Sequence, residues 1–218
     1  MISLLLRTAA LLSLAPIAIP AATPAPTAPT AVVAPPLDTV VFAGGCFWGV
    51  QAVFQHVKGV VSATSGYAGG TVSAPGYALV STGTTGHAES VRVVYDPSKV
   101  SFNTLLDVFF KVAHDPTELD RQGPDVGTQY RSAVFYTSDA QHRAVASYIV
   151  ALQNSGAVKH PIVTQVQSLK GFYPAEAYHQ DYATLHPDDA YIRYNDAPKV
   201  EALKREYASL WNDTIAAH

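Results

Sequence analysis

The sequence contains one cysteine, Cys46, in 218 residues, and one methionine, which is Met1. A single thiol excludes an internal disulfide framework and any metal site built from several cysteines. Charged residues make up only 14% of the chain, the formal net charge is −3, and no Lys/Arg cluster occurs. The electrostatic footprint of a nucleic-acid-binding protein is therefore missing. Eight histidines are present, none in an HExxH or comparable ligand spacing, which argues against a metal enzyme. The apolar stretch at 8–18 is too short to span a bilayer.

What that stretch does fit is a secretory signal peptide over residues 1–22, with Arg7 ahead of it, no acid, and small residues at 18–22 for cleavage. Residues 23–36 are rich in Ala, Pro and Thr and cannot build a core, so they read as a disordered linker. The expected product is an exported protein, in the bacterial periplasm, with no membrane attachment after cleavage and a folded domain over 37–218.

Within that domain an apolar run at 40–43 reads as a buried strand, broken by Gly44 and Gly45, and residues 51–57 continue as an amphipathic helix. Cys46 thus falls at a strand-to-helix turn, where backbone N–H groups and the helix dipole favour a thiolate. Further strands are expected at 59–67, 88–95, 132–136 and 162–166. Helices are expected at 102–113 behind Ser101, at 138–154 ended by Gly156, and at 199–210. Two long loops, 70–87 and 114–130, interrupt this pattern and are dense in polar and turn residues, as functional loops often are. Strands interleaved with helices in this way give an α+β two-layer sandwich with long irregular loops.

Several residues stand out chemically. Phe47 and Trp48 follow the thiol directly, and an exposed thiol between aromatics suits an apolar, sulfur-bearing group. Glu89 begins the strand at 88–95; desolvated there, it would stay protonated near neutrality and serve as a general acid. The loop 123–131 carries Asp125, Tyr130 and Arg131 together. A cysteine hydrolase is the competing reading, and it would need His87 or His179 as base, with no third orienting group evident.

Taken together these segments resemble the methionine sulfoxide reductase A family. Gly45-Cys46-Phe47-Trp48-Gly49 looks like its nucleophile motif, and Gly66-Tyr67-Ala68-Gly69-Gly70 like its second glycine motif. Thr85-Gly86-His87-Ala88-Glu89, His114-Asp115-Pro116-Thr117, Gly127-Thr128-Gln129-Tyr130-Arg131-Ser132 and the block at 172–182 follow in order. The resemblance implies a ferredoxin-like core and thiol-dependent reduction of the S-epimer of methionine sulfoxide, free or in peptides and proteins. By position it makes Cys46 the nucleophile and Glu89 the acid. Tyr77 and Tyr130 would hold the sulfoxide oxygen, Phe47 and Trp48 the methyl group, and Asp125 would be a polar pocket residue. It implies no cofactor beyond an external reductant and no metal. It departs from many members in having no resolving cysteine, so a Cys46 sulfenic acid would need thioredoxin, a glutaredoxin or an exported thiol protein. Pro124, where many members have Asn, stiffens the loop before Asp125. Oxidised proteins and peptides are the expected substrates and a monomer the expected state.

Overall fold

A computed structural model describes residues 36–218. The predicted signal peptide and all but the last residue of the predicted linker lie outside the described residues. Strand β1 (Asp38–Gly44) leads into helix α1 (Phe47–Gln55), followed by β2 (Val60–Ala68), the short α2 (Tyr77–Val80) and β3 (Ala88–Tyr95). Next come α3 (Phe102–Val108), the two-residue strands β4 (Arg121–Gln122) and β5 (Asp125–Val126), and β6 (Ser132–Tyr136). Helix α4 (Asp139–Asn154), β7 (Gln165–Ser168), β8 (Phe172–Pro174), α5 (Tyr182–Leu185) and α6 (Ala197–Glu206) complete the order.

The main sheet runs β7-β6-β1-β3-β2-β8. Its four central strands, β6-β1-β3-β2, are antiparallel throughout and enclose two strand-helix-strand crossovers through α1 and α3. That is the ferredoxin-like order the resemblance implies, in an α+β sandwich. Strand alternation decides what each face carries. Val40 and Phe42 of β1, Ala63 and Tyr67 of β2 and Val91, Val93 and Tyr95 of β3 pack under α1, α3, α4 and α6. The opposite face carries Val41, Ala43, Ala68, Ala88, Ala133 and Phe135, covered by Leu169 and Phe172. Glu89 has the parity of Val91 and Val93 and lies opposite Tyr67 across the β2–β3 pair. It therefore enters the helix-covered core, at the end of the sheet where α1 begins.

Caps form where the sequence places them. The Ser101 side chain accepts from the Thr104 N–H and the Ser138 side chain from the Gln141 N–H. The predicted helix at 102–113 is α-helical only to Val108 and continues as a wider π-helical turn, Phe109–Ala113. The strand expected at 162–166 forms three residues later, pairing in parallel with β6. β8 has no counterpart in the sequence reading. The long loops also hold more structure than expected: α2 lies in the first, and β4, β5 and a 3-10 turn at Thr128–Tyr130 lie in the second.

Candidate active site

Everything at the site is placed by the start of α1. Gly45 adopts φ +87°, and a Cβ there would fall 2.6 Å from Gln122 Cβ. Gln122 cannot step aside, because its amide holds the Asp115 N–H at 2.8 Å and the Asp115 carbonyl at 3.0 Å. Gly45→Ala should therefore cost about 2–4 kcal/mol in strain and overpacking. A thermal melt should show it as a fall of roughly 5–15 °C in Tm.

Cys46 occupies the N-cap of α1, as the sequence suggests, but its surroundings differ from the expectation of an exposed, acidified thiol. Only 8% of the residue is exposed. Burial pushes the thiol well above its ordinary pKa, helped by the carboxyls of Glu89, Asp196 and Asp125 and opposed by the Trp48 amide. The helix start does favour the thiolate, and desolvation outweighs it.

Glu89 is 2% exposed. Its Oε2 accepts the Phe47 N–H at 3.1 Å, inside the first turn of the helix that Cys46 caps. Desolvation pushes its carboxyl up to about 8, against the lowering effect of that hydrogen bond. The two acids of the site, thiol and carboxyl, are thus both held near or above neutrality in their protonated forms.

Tyr77 and Tyr130 are both half-buried. Burial raises both phenols, and both respond to the charge on Glu89 and Cys46. Tyr77 is fixed by Glu176, whose Oε1 accepts the Tyr77 N–H and whose Oε2 accepts the Tyr67 hydroxyl, each at 2.8 Å. Tyr130 is held by Arg131, whose guanidinium donates to the Thr128 and Gly86 carbonyls, both at 2.9 Å. Phe47 is 1% exposed and packs at 5.0 Å from the His179 ring and 5.9 Å from the Tyr67 ring. Trp48 is half-buried, stacked on Tyr182 at 3.8 Å and edge-on to Tyr191 at 5.9 Å. Of the two predicted aromatics only Trp48 reaches solvent, so Phe47 is a floor beneath the site.

The opening onto Cys46 is a pocket of about 70 Å3 lined by Cys46, residues 122–125, Tyr191, Asn195 and Lys199. Of the predicted residues only Cys46 and Asp125 line it. Asp125 Oδ2 accepts the Tyr191 hydroxyl. The structure therefore ties Glu89 to the first amide after Cys46 and places Asp125 in the pocket with the sulfur, while Tyr77 and Tyr130 come near enough to feel the charge on Cys46. Tyr191, Asn195, Asp196 and Lys199 were not anticipated. The first three fall in a Tyr/His/Asp/Pro-rich, aperiodic segment at 171–196, and Lys199 at the start of the expected terminal helix.

Neither histidine of the hydrolase reading is available as a base. His87 Nδ1 accepts the Gly70 N–H and Nε2 donates to the Val72 carbonyl. His179 Nδ1 accepts the Trp48 indole N–H at 3.2 Å, and burial lowers the pKa of the ring. His114 is also structural. Its ring bridges the Phe109 carbonyl and the Ser132 hydroxyl, and burial holds its pKa near 4. Among the described residues no group of three or more His, Cys, Asp or Glu side chains is placed to hold a metal.

Comparison with known proteins gives the same direction. The family description "Peptide methionine sulfoxide reductase" matches residues 38–211. The peptide methionine sulfoxide reductase MsrA 2 of Mesorhizobium japonicum is 55% identical over 180 residues, covering 83% of this chain and 92% of its own length. The MsrA 2 of Synechocystis sp. is 46% identical over 180 residues, covering 83% and 84%. Among solved structures, reduced Mxr1 of Saccharomyces cerevisiae aligns with a TM-score of 0.63 at 35% identity, over 69% of this chain and 86% of that one. Methionine sulfoxide reductase A of Corynebacterium diphtheriae aligns at 0.62 and 37%, over 70% and 76%. The matched span runs from β1 to beyond α6 and takes in the turn, the buried acid and the pocket around the thiol. This chain belongs to the peptide methionine sulfoxide reductase family.

Proposed function

We propose that this chain reduces the S-epimer of methionine sulfoxide, free and in peptides and proteins, with Cys46 as nucleophile and Glu89 as general acid. The observation that carries this reading is the Glu89 carboxyl. It is buried, neutral below about pH 8, and hydrogen-bonded to the first amide after Cys46. A sulfoxide sulfur is a weak electrophile until its oxygen is protonated, so a thiol and a neutral acid must act together. Cys46 attacks the sulfur as Glu89 hands a proton to the oxygen, and the proton released by the Cys46 thiol restores the Glu89 carboxyl. The oxygen transfers to Cys46, the S–O bond of the sulfoxide breaks, and methionine and a Cys46 sulfenic acid result. Trp48 supplies an apolar wall for the methyl group over the Phe47 floor. Tyr77 and Tyr130 present hydroxyls to the oxygen, and Asp125 with Tyr191 orders the pocket side.

With one cysteine in 218 residues, the sulfenic acid has no partner thiol in this sequence. The resolving thiol then comes from a second molecule, a thioredoxin-, glutaredoxin- or exported thiol-type protein. Its thiol condenses with the sulfenic acid, releasing water, and a further thiol returns Cys46 to the reduced form. The apolar stretch and the Ala/Pro/Thr-rich segment at the N-terminus support export to the periplasm, where the chain would act as a monomer.

Epimer-resolved peptide sulfoxides test the assignment. With dithiothreitol as reductant the S-epimer should turn over and the R-epimer should not; equal rates on both would overturn it. Without reductant, one methionine per protein should form, together with a dimedone-reactive Cys46.

A further inference from the structure

Behind the wall of the pocket beside Cys46, which includes Lys199, lies a buried ion pair that the reaction as described leaves unused. Asp196 is 0% exposed. Its Oδ1 accepts the Lys199 ammonium at 3.1 Å, while its Oδ2 is buried without a partner. The carboxyl lies flat against α1, since a Cβ on Gly49 would fall 2.1 Å from Oδ1. Gly49 belongs to the first turn of the helix that Cys46 caps. Lys199 is largely buried beside Asp196 and lines the same pocket as the sulfur.

A helix N-terminus favours one negative charge, and here three acids converge on it: Cys46, Glu89 from the sheet side and Asp196 from the α6 side. Glu89 avoids the conflict by staying protonated. Asp196 has a cation next to it instead. We propose that Asp196 and Lys199 are positioning residues for the reaction, a charge-compensating pair that sets how readily Cys46 ionises. An uncompensated Asp196 carboxylate would hold the thiol protonated, and an uncompensated Lys199 would favour the thiolate. In the intact pair Asp196 still raises the thiol, Lys199 limits how far, and Asp196 seats the first turn of α1 at Gly49. The burial that raises the Asp196 carboxyl is opposed by Lys199, as such a pair requires.

Among the other groups facing Cys46, Glu89 on β3 feels the pair, because Asp196 raises its carboxyl, so Glu89→Gln is carried as a second background for each variant. Asp125 on β5 is not substituted in any variant. Tyr77, Tyr130, Tyr182 and Tyr191 remain neutral, because burial raises each phenol. His179, whose ring pKa burial lowers, stays uncharged against Phe47 and Trp48.

The test is the pH dependence of Cys46 alkylation by iodoacetamide in the full chain, where the one cysteine makes the readout unambiguous. It rests on Cys46 being the nucleophile but reads thiol ionisation rather than sulfoxide turnover, so the two readings can fail separately. Asp196→Asn should move the midpoint down by about one pH unit, making alkylation about tenfold faster at pH 7. Lys199→Met should move it up by a similar amount, and Lys199→Arg should hold it in place. The double variant, Asp196→Asn with Lys199→Met, should return close to the starting midpoint. A purely structural role would displace both single variants in the same direction. That pattern, or an Asp196→Asn midpoint that does not fall, overturns the proposal. Melting curves run on the same samples confirm that each variant is read in its folded form.

Discussion

Cys46→Ser should bring sulfoxide reduction to background while leaving the protein folded. Serine is a favourable N-cap residue, so α1 should keep its start or gain slightly in stability. The chemistry disappears for two reasons. A buried hydroxyl does not ionise in the accessible pH range, and oxygen cannot accept the sulfoxide oxygen to form a counterpart of the sulfenic acid. The loss is therefore one of reaction type and should not be rescued by raising pH or reductant. Methionine release from an S-epimer peptide, followed chromatographically, gives the readout. A variant retaining even a few per cent of turnover would mean that another group attacks the sulfur.

Glu89→Gln should lower kcat/KM by about 10²–10⁴-fold, the range expected for loss of a positioned general acid. The amide can still donate a hydrogen bond to the oxygen but cannot transfer a proton, so activity falls without vanishing. Above pH 8, where Glu89 is ionised, alkylation of Cys46 should meanwhile become faster, because the Glu89 carboxylate is one of the groups that raises the thiol. A loss of turnover coupled to a gain in thiol reactivity separates an acid from a merely structural carboxyl.

The pH profile carries the same logic. Productive attack needs Glu89 protonated and Cys46 ionised, yet Glu89 loses its proton near pH 8, before the buried thiol does. Below pH 8 the rate should climb about tenfold per pH unit with the thiolate fraction. Between the two titrations the gain in thiolate and the loss of acid cancel, giving a plateau, and above both the rate falls. Glu89→Gln should remove the break near 8 and let the rate follow the thiol alone. The breaks belong to the coupled pair rather than to either residue in isolation.

How much of this was legible in the sequence varies along the chain. Cys46 at the cap of α1 followed from two glycines between an apolar run and an amphipathic one, all local signals. β3 formed with the bounds expected for it, 88–95. β8 was invisible because a three-residue strand has almost no period of its own. It exists because β2 offers an edge for Phe172–Pro174 to pair with. β7 shifted for a related reason, since the residues that pair are those reaching Ala133–Tyr136 of β6 and not the most apolar ones. Gln51 and Gln180 show the same dependence on partners. They are ordinary polar residues in sequence, yet buried together in a network with Ser65 that ties the 172–182 segment to α1 and β2.

The sequence by itself determined where the thiol and its candidate acid sit, since strand alternation and a glycine turn are encoded within a few residues of each. It also determined that only one thiol is available within these 218 residues. The tertiary structure decided the protonation of both groups, because a pKa depends on what surrounds a group in space. Burial beneath the helices made Glu89 a neutral acid. The return of residues 191–199 to α1, some 150 positions along the chain, turned an expected exposed thiolate into a buried thiol flanked by Asp196 and Lys199. Solvent exclusion is a property of the assembled layers, and no stretch of sequence around Cys46 contains it.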